Sequence, residues 1–372
     1  MKVDSLSFHH FRNLCDGELE ASGGVNVIWG DNAQGKTNLL EAVWLFTGSR
    51  SFRGAKDAEL LSFSKKDASL TLSFTAQGRE QTAKLTIAPG KQLSLNGVSM
   101  PSASAMAGVF CAVVFAPCHL SLIQDGPSER RRFLDAAICQ VKPSYHGLLT
   151  EYNRALLQRN TLLKDLAYHT ELTSTMEVWE EHLSRIGGRI QEIRRRYLYR
   201  LAPEVWRVYE GLSGGSEQLT LSYLPGGLGE EFSLTEEETP DFKALLLRRL
   251  QLRRREDMLA GSTSAGPHRD DLLFAVNGFS ARVYGSQGQQ RSVVLACKLS
   301  EASLLRQITG EQPVALLDDV LSELDPGRQD FVLNHIKGWQ VFITCCDPKQ
   351  SERLAAGRSF EMKNGVLRPA ER

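Results

Sequence analysis

Gly30 to Thr37 read GDNAQGKT, which fits the pattern GxxxxGK[ST] without deviation. The octapeptide follows a strand-like apolar run, Val25 to Trp29, and precedes a stretch with helical spacing that begins near Lys36. A strand, a glycine-rich turn and a helix N-terminus together surround a phosphate with backbone N–H groups, while the lysine adds a charge and the threonine holds Mg²⁺. We therefore predict a site for ATP and Mg²⁺ formed by Gly30, Asp31, Asn32, Ala33, Gln34, Gly35, Lys36 and Thr37.

A second segment ends on two acidic residues. Val314 to Leu317 is an apolar run followed directly by Asp318 and Asp319, the form of a strand that delivers a metal-binding carboxylate beside a phosphate loop. Taken alone, two carboxylates after a strand are more often an ordinary strand end. The phosphate loop reverses that preference, so we predict that Asp318 binds Mg²⁺ with Thr37, and that Asp319 is the catalytic carboxylate, acting with Lys36.

Length and composition restrict the class of protein. The chain has 372 residues, long for one hydrophobic core, and is 42% hydrophobic and 24% charged. Its start lacks an apolar leader, and no run approaches the ~20 apolar residues of a membrane span. The 44 basic residues balance the 44 acidic ones, so binding to a polyanion requires a local patch. We expect a cytoplasmic protein of two domains that does not interact with a membrane.

The order of the patterns suggests an insertion. Strand signals dominate the first part of the chain, helical spacing dominates from Asp125 to about Tyr209, and strand signals return from about Gly266. Tyr145 to Leu166 and Met176 to Leu201 each carry an apolar stripe and predict a packed helical pair. We predict an ATPase domain from residues 1–120 and 261–372, with a mainly helical arm, residues 121–260, between them.

The segment Tyr284 to Arg291 opens another predicted helix, with Ser286 as its N-cap. It resembles the signature motif of ABC ATPases, whose serine and helix N-terminus contact the γ-phosphate of ATP on a partner subunit. The resemblance implies that Ser286, Gly288 and Gln289 bind nucleotide across a homodimer. Thr344 stands where ABC transporters usually carry histidine, which favours the SMC-like branch and disfavours a transporter subunit.

Nearly the whole chain resembles the RecF family of that branch. The residues that carry the resemblance are Phe11-Arg12-Asn13, the phosphate loop, Ser51-Phe52-Arg53, Phe115-Ala116-Pro117, Gly126-Pro127, Arg131 to Asp135, Gly266 to Asp271, Ser286 to Gln290, and Leu317 to Asp319 with Ser322 to Asp325. The fold expected is an α/β head domain of the ABC/SMC P-loop type with an inserted helical domain. Arg12 and Asn13 match a position that contacts nucleotide in related ATPases, although an ordinary loop is the alternative.

What the resemblance implies is an ATP-driven dimer that binds single-stranded, gapped or duplex DNA and hydrolyses ATP slowly, with stimulation by DNA. It further implies a role in recombinational repair and replication restart, in which the protein acts with RecR to help load the RecA recombinase. The alternative is another SMC-like ATPase that acts as a regulatory or structural clamp without a recombination role. Binding to DNA in the presence of ATP separates these two hypotheses.

Three features stay open at the level of sequence. Gln124 is a candidate for the glutamine of the Q-loop found in SMC-like ATPases, and His268 is either mechanistic or a turn residue. Basic clusters are ordinarily solvated helix faces, but in a RecF-like ATPase they predict a track for the DNA backbone. These clusters are Arg130 to Arg132, Arg194 to Arg196 with Arg200, and Arg248, Arg249 and Arg253 to Arg255.

Overall fold

The computed structural model describes residues 1–166, 169–229, 231–234, 240–346 and 357–370. The chain divides into two compact units, one formed by Met1–Leu120 with Leu295–Arg372 and the other by Ser121–Val294. The first unit is thus built from both chain ends, with the second inserted between them. The predicted domains, residues 1–120, 121–260 and 261–372, stay a prediction. The compact units have the same first boundary, but the second unit continues past residue 260 and ends at Val294.

Strands and helices occur in both units. In chain order the described strands are β1 (Lys2–His9), β2 (Gly17–Glu20), β3 (Val25–Trp29), β4 (Ala68–Ala76), β5 (Arg79–Ala88), β6 (Gly90–Leu95), β7 (Val98–Met100), β8 (Ala112–Phe115), β9 (Leu219–Leu224), β10 (Phe232–Ser233), β11 (Asp271–Val276), β12 (Phe279–Ser280), β13 (Val314–Asp318), β14 (Val341–Cys345), β15 (Gly357–Lys363) and β16 (Val366–Pro369). The described α-helices are α1 (Lys36–Trp44), α2 (Ser121–Gln124), α3 (Pro127–Val141), α4 (Ser144–Asp165), α5 (Met176–Ser213), α6 (Phe242–Leu252), α7 (Arg254–Ala260), α8 (Ala281–Tyr284), α9 (Gln287–Thr309) and α10 (Pro326–His335).

Two six-stranded sheets form the framework of the first unit. One is antiparallel, in the order β2-β1-β4-β5-β6-β7, and the other has the order β16-β15-β3-β14-β13-β8, with its last five strands parallel. Strand β4 buries every second residue, as a strand with one face on a core does, whereas β13 and β14 are buried at every position. A single apolar core joins the sheets and α1, and it includes Leu40, Leu72 and Phe342.

The second unit combines helices with a four-stranded antiparallel sheet, in the order β10-β9-β11-β12. Its helices α3, α4 and α5 begin at or next to the residues where local signals predict them. Pro127 occupies the first turn of α3, where its missing N–H costs nothing, and the predicted helical pair is present as α4 packed on α5. The residues after Gly266 that predict a return of strands form β11, which pairs with β9 and β12.

Helix α5 extends beyond Leu201, the residue at which it was predicted to end. It continues through Pro203 to Ser213, because the apolar stripe continues and buries Val205, Val208 and Leu212. The burial of these side chains outweighs the ~3 kcal/mol that an internal proline costs a helix. Over the described ranges of the chain, no helix has both the length and the apolarity required to cross a membrane.

Candidate nucleotide-binding site

The candidate site lies at the carboxyl ends of three neighbouring parallel strands of the first unit. Strand β3 leads into the loop Gly30 to Thr37, β13 ends at Asp318, and β14 holds Thr344 next to its last residue. The strand register pairs Asp318 with Thr344, and Thr344 with Ile28. Because parallel strands end at a common edge of the sheet, the phosphate loop and the acidic strand end lie side by side.

Lys36 is held by the loop that precedes it. Its ammonium group donates hydrogen bonds to the carbonyl oxygens of Gly30 and Asp31, the latter at 2.8 Å, and the residue is only 8% exposed. Gly35 has a φ of +113°, and a Cβ there would lie 2.9 Å from Asn13 Oδ1, so glycine is required. Helix α1 starts at Lys36, which leaves its first N–H groups free. The loop therefore offers one cation and several backbone donors to an anion.

Asp318 is the centre of a cluster of oxygen atoms. The Thr37 hydroxyl lies 2.8 and 3.0 Å from its two carboxylate oxygens, and the Thr344 hydroxyl donates to Oδ1 at 2.8 Å. Burial raises the pKa of Asp318 above its ordinary value, while these two hydrogen bonds oppose the rise. A hydroxyl and a carboxylate in contact suit Mg²⁺, which completes its shell with phosphate and water oxygens. Thr37 and Asp318 therefore fit the predicted metal site.

Asp319 has an unusual backbone conformation. Its φ is +51°, a left-handed value that Asp and Asn tolerate better than most residues. The Thr344 hydroxyl accepts its N–H at 3.0 Å, and the Ser322 hydroxyl lies 2.8 Å from its carbonyl oxygen and 2.9 Å from Oδ1. These contacts hold the carboxylate in the loop just beyond the candidate Mg²⁺ ligands, the position predicted for a residue that orients water.

Asn13 connects the phosphate loop to a chain of polar side chains. Its Nδ2 donates to the carbonyl oxygen of Ala33 at 3.1 Å, and its Oδ1 accepts from Asn38 Nδ2 at 2.6 Å. Arg53 donates to Asn38 Oδ1 at 2.8 Å. The predicted position of Asn13 beside the nucleotide loop is thus consistent with its contacts, and Arg53 is brought to the same place.

Arg12 takes a different partner from its neighbour. Its guanidinium group makes two hydrogen bonds to the carboxylate of Glu41, at 2.9 and 3.0 Å, and Glu41 is fully buried. The Ser51 hydroxyl donates to the same carboxylate. The ion pair fixes Arg12 at the wall of a cavity of about 550 Å³ next to the phosphate loop. Phe63, at one side of the cavity, is 97% exposed. The cavity is lined by Arg12, Asn13, Leu14, Asn38, Arg53, Glu59, Leu61, Ser62 and Phe63.

The predicted signature residues lie in the second unit, at the start of α9. Ser286 caps the helix as predicted, because its Oγ accepts the N–H of Gln289 at 3.2 Å. Gln289 Oε1 accepts the Ser286 N–H in return at 2.8 Å, which completes a capping box. Gln289 Nε2 also donates to Glu217 at 2.7 Å. The phosphate loop and Ser286 therefore belong to different units of the chain.

Gln124 and His268 have partners within the second unit. Gln124 Nε2 donates to Gln290 Oε1 at 2.9 Å, so this Q-loop candidate lies against the signature helix. The Nδ1 atom of His268 lies 2.7 Å from the Tyr152 hydroxyl, and Nε2 lies 3.0 Å from the carbonyl oxygen of Thr263. Burial lowers the pKa of His268. Both ring nitrogens are used inside the fold, which supports a structural role.

The predicted DNA track is wrong for part of the arginine clusters. Arg130, Arg194 and Arg195 are at most 4% exposed, and Arg194 donates to Asp135 and Asp270. A buried guanidinium group must find acceptors inside the fold, and these acceptors come from distant parts of the sequence. The exposed members of the clusters are Arg132, Arg196, Arg200, Arg248 and Arg255.

No sequence pattern predicts a site role for Arg53 or Asn38, and in the sequence Thr344 stands out only as a departure from transporter ATPases. Thr344 donates to the Asp318 carboxylate and accepts from the backbone N–H of Asp319, so one hydroxyl contacts both acidic residues. The sequence signal that could have indicated a site role for Thr344 is its position at the end of β14, the parallel strand next to β13. Arg53 belongs to the Ser51-Phe52-Arg53 stretch that supports the family resemblance.

Comparisons with known proteins agree with this geometry. The AAA domain family matches residues 5–197. DNA replication and repair protein RecF from Acetivibrio thermocellus is 36% identical over 372 residues, which covers 97% of this chain and 100% of that protein. The solved structure of the recombination mediator protein RecF-ATP in the RecFOR pathway has a TM-score of 0.90 and 35% identity, over 100% of this chain and 98% of that one. The Smc head domain from Pyrococcus furiosus, with a TM-score of 0.54 and 16% identity over 99% of this chain and 96% of that one, supports the fold alone.

Proposed function

Because this chain belongs to the RecF family of DNA replication and repair proteins, we propose that it is a repair ATPase whose nucleotide site is the loop Gly30 to Thr37. The observation that carries the proposal is the contact of Thr37 with Asp318 at 2.8 Å, which joins a phosphate loop to an acidic strand end. Two segments far apart in sequence thereby supply the phosphate donors and the metal ligands of one site. The similarity to a RecF–ATP structure supports the choice of ATP as the nucleotide.

Magnesium belongs to this proposal as the partner of the phosphates. Thr37 and Asp318 would hold the ion, and when bound it would neutralise charge on the transferred phosphoryl group. Lys36 binds the phosphates, and Asp319 orients the attacking water from its position after β13. The cavity beside Asn13 is large enough to receive the nucleoside, with the guanidinium group of Arg12 fixed at its wall by Glu41.

We further propose that ATP joins two copies of the chain head to tail. The support is the resemblance of the Ser286 segment to the ABC signature, together with its capped helix N-terminus, since such a terminus attracts a phosphate. In that arrangement Ser286, Gly288 and the N-terminal N–H groups of α9 contact the γ-phosphate held by the partner's Lys36 loop. ATP hydrolysis then requires the dimer, and release of phosphate separates it.

DNA is the macromolecule that we propose this protein binds. Its basis is family membership, and the RecF relative of known structure acts in the RecFOR pathway. We infer that this protein binds single-stranded, gapped or duplex DNA in the bacterial cytoplasm, cooperates with RecR, and assists the loading of the RecA recombinase. The DNA backbone is the expected contact, because exposed arginines neutralise phosphates without reading bases.

The test of this function is DNA binding by the purified protein in three states: without nucleotide, with ADP, and with ATP and Mg²⁺. Fluorescent duplex, gapped and single-stranded oligonucleotides serve as probes, and Asp318→Asn is the variant that lacks the metal ligand. We expect ATP to increase DNA affinity in the wild-type protein only. Absence of DNA binding in every nucleotide state, with ATP binding intact, would favour the alternative of a clamp without a recombination role.

A further inference from the structure

A chain of hydrogen bonds connects the end of α5 to the start of α9. The Tyr209 hydroxyl donates to Glu217 Oε2 at 2.6 Å, and Glu217 Oε1 accepts from Gln289 Nε2 at 2.7 Å. Gln289 Oε1 accepts the N–H of Ser286 at 2.8 Å. Three separate segments of the second unit, the C-terminal turn of α5, the residue two positions before β9 and the first turn of α9, thus meet through one carboxylate.

Burial decreases along this chain of contacts. Tyr209 is fully buried in the unit, Glu217 and Gln289 are half-buried, and Ser286 is exposed. Tyr209 provides a fixed anchor, because it is fully buried in α5, where packed surroundings restrict its side chain. Each contact restricts the next side chain, so the orientation of the exposed Ser286 is linked to that of the buried Tyr209.

The chemistry at Ser286 is suited to an anion. Its Oγ uses a lone pair to accept the N–H of Gln289, so its own proton stays available for donation. The N–H groups of Gln287 and Gly288 come first in the helix, where no intrahelical acceptor exists. Gln289 itself uses its amide oxygen on Ser286 and its amide nitrogen on Glu217. Its side chain is therefore engaged in holding the serine.

We propose that Tyr209 and Glu217 are positioning residues for the γ-phosphate contact, acting through Gln289 to fix the orientation of Ser286. The proposal rests on the ATP-driven dimer proposed above and deepens it. It also revises the prediction for Gln289, from a nucleotide ligand to the residue that transmits the orientation. Without Glu217 the amide of Gln289 loses its second anchor, and Ser286 must be ordered at the moment the dimer forms, at an entropic cost.

The experiment compares Tyr209→Phe, Glu217→Ala and Glu217→Gln with the wild-type protein. The control is Tyr199→Phe, which removes the same hydroxyl group from a half-buried tyrosine of the same helix. Two quantities are measured: ATP affinity of dilute monomer, by titration of a fluorescent ATP analogue, and the dimer dissociation constant at saturating ATP and Mg²⁺, by sedimentation. Ser286→Arg provides the reference for a monomer that binds ATP without dimerising.

We expect Glu217→Ala to weaken the ATP dimer about tenfold and Tyr209→Phe several-fold, with monomer ATP affinity and melting temperature unchanged. Glu217→Gln should restore the dimer to within about threefold, because its amide can accept from Gln289 and donate to the Tyr209 oxygen. Wild-type dimerisation in Glu217→Ala would overturn the proposal. So would a Glu217→Gln protein as defective as Glu217→Ala, or a parallel loss of melting temperature and ATP affinity. A wild-type protein that stays monomeric with ATP would instead refute the proposed dimer, and the positioning role with it.

Discussion

Lys36 is the residue whose replacement tests the phosphate loop most directly. Lys36→Ala removes the single side-chain cation that the loop directs at phosphate, while Gly30 and Asp31 keep their backbone conformation. We expect ATP affinity to fall about tenfold to a hundredfold, the range for loss of a charge-assisted hydrogen bond. Lys36→Arg should retain more binding than hydrolysis. Nucleotide titration measures the effect, with circular dichroism as a check on the fold.

The matched control for Lys36 is Lys66→Ala, which removes an exposed lysine from the same unit. Its ATP affinity should equal that of the wild-type protein. If folded Lys36→Ala binds ATP as the wild-type protein does, the assignment of the loop as a nucleotide site is wrong.

Asp319 permits a substitution that changes its chemistry and spares its backbone. Asparagine tolerates a φ of +51° as well as aspartate does, so Asp319→Asn keeps the turn between β13 and Ser322. The variant keeps Asp318 and Thr37, the proposed Mg²⁺ ligands, but loses the carboxylate proposed to position water. We expect ATP hydrolysis to fall about a hundredfold or more, while the ATP dimer accumulates.

Sedimentation with ATP and Mg²⁺ and a phosphate-release assay measure these two effects of Asp319→Asn. Asp330→Asn, which neutralises an exposed aspartate on α10, serves as the control and should leave both quantities unchanged. An Asp319→Asn protein that remains monomeric with ATP, or that hydrolyses ATP at the wild-type rate, would contradict the catalytic role assigned to Asp319.

At the scale of elements, the close packing of α5 on α6 depends on two glycines. A Cβ on Gly188 would lie 2.6 Å from Lys243 N and 2.7 Å from its Cα, and one on Gly187 would lie 2.8 Å from a methyl carbon of Leu246. Backbone cannot retreat as a flexible side chain can. We therefore expect Gly188→Ala to destabilise the protein by about 1–3 kcal/mol, the cost of overpacking.

A helical glycine with free space provides the opposite case. Gly147 lies in α4, and an added Cβ there meets no atom within 4 Å. Gly147→Ala should stabilise the protein by about 0.5–1 kcal/mol, because alanine loses less backbone entropy on entering a helix. Denaturant unfolding of both variants gives the two signs. Equal effects of the two substitutions would show that the contact with α6 is unimportant.

At the scale of the whole molecule, DNA binding depends on which arginines reach the surface. Besides Arg132, which pairs with Glu129, the exposed arginines of the basic clusters form two pairs, Arg196 with Arg200 and Arg248 with Arg255. Each contact with a phosphate releases counterions, so log affinity falls with log salt. Reversal to glutamate in the pair that meets DNA should weaken binding and flatten the salt slope by about one unit per lost contact. Binding measured from low to moderate salt supplies the slope.

The corresponding control is Arg79→Glu with Lys84→Glu, a reversal of two exposed charges on β5 of the first unit. It changes net charge by the same amount, so it separates local contact from the overall field. If neither charge-reversed arginine pair changes the salt slope of DNA binding, DNA contacts another surface. Reversal of Arg194 is excluded from this design, since it breaks the buried contacts with Asp135 and Asp270.

Local sequence determined the parts of this protein that depend on neighbours in the chain. The phosphate loop, the start of α1 at Lys36, the start of α3 at Pro127 and the cap at Ser286 are each specified by a few consecutive residues. Steric limits on glycine and proline, and the free N–H groups at a helix start, act over one turn. They are therefore readable without knowledge of the fold.

Only the tertiary structure decided which distant residues meet. Thr344 reaches Asp318 through the register of β13 and β14, Arg194 is buried between Asp135 and Asp270, and Glu217 joins Tyr209 to Gln289. A run of arginines has the same composition whether it faces water or an internal carboxylate. Burial and pairing depend on which elements pack together, and that information is distributed over the whole chain.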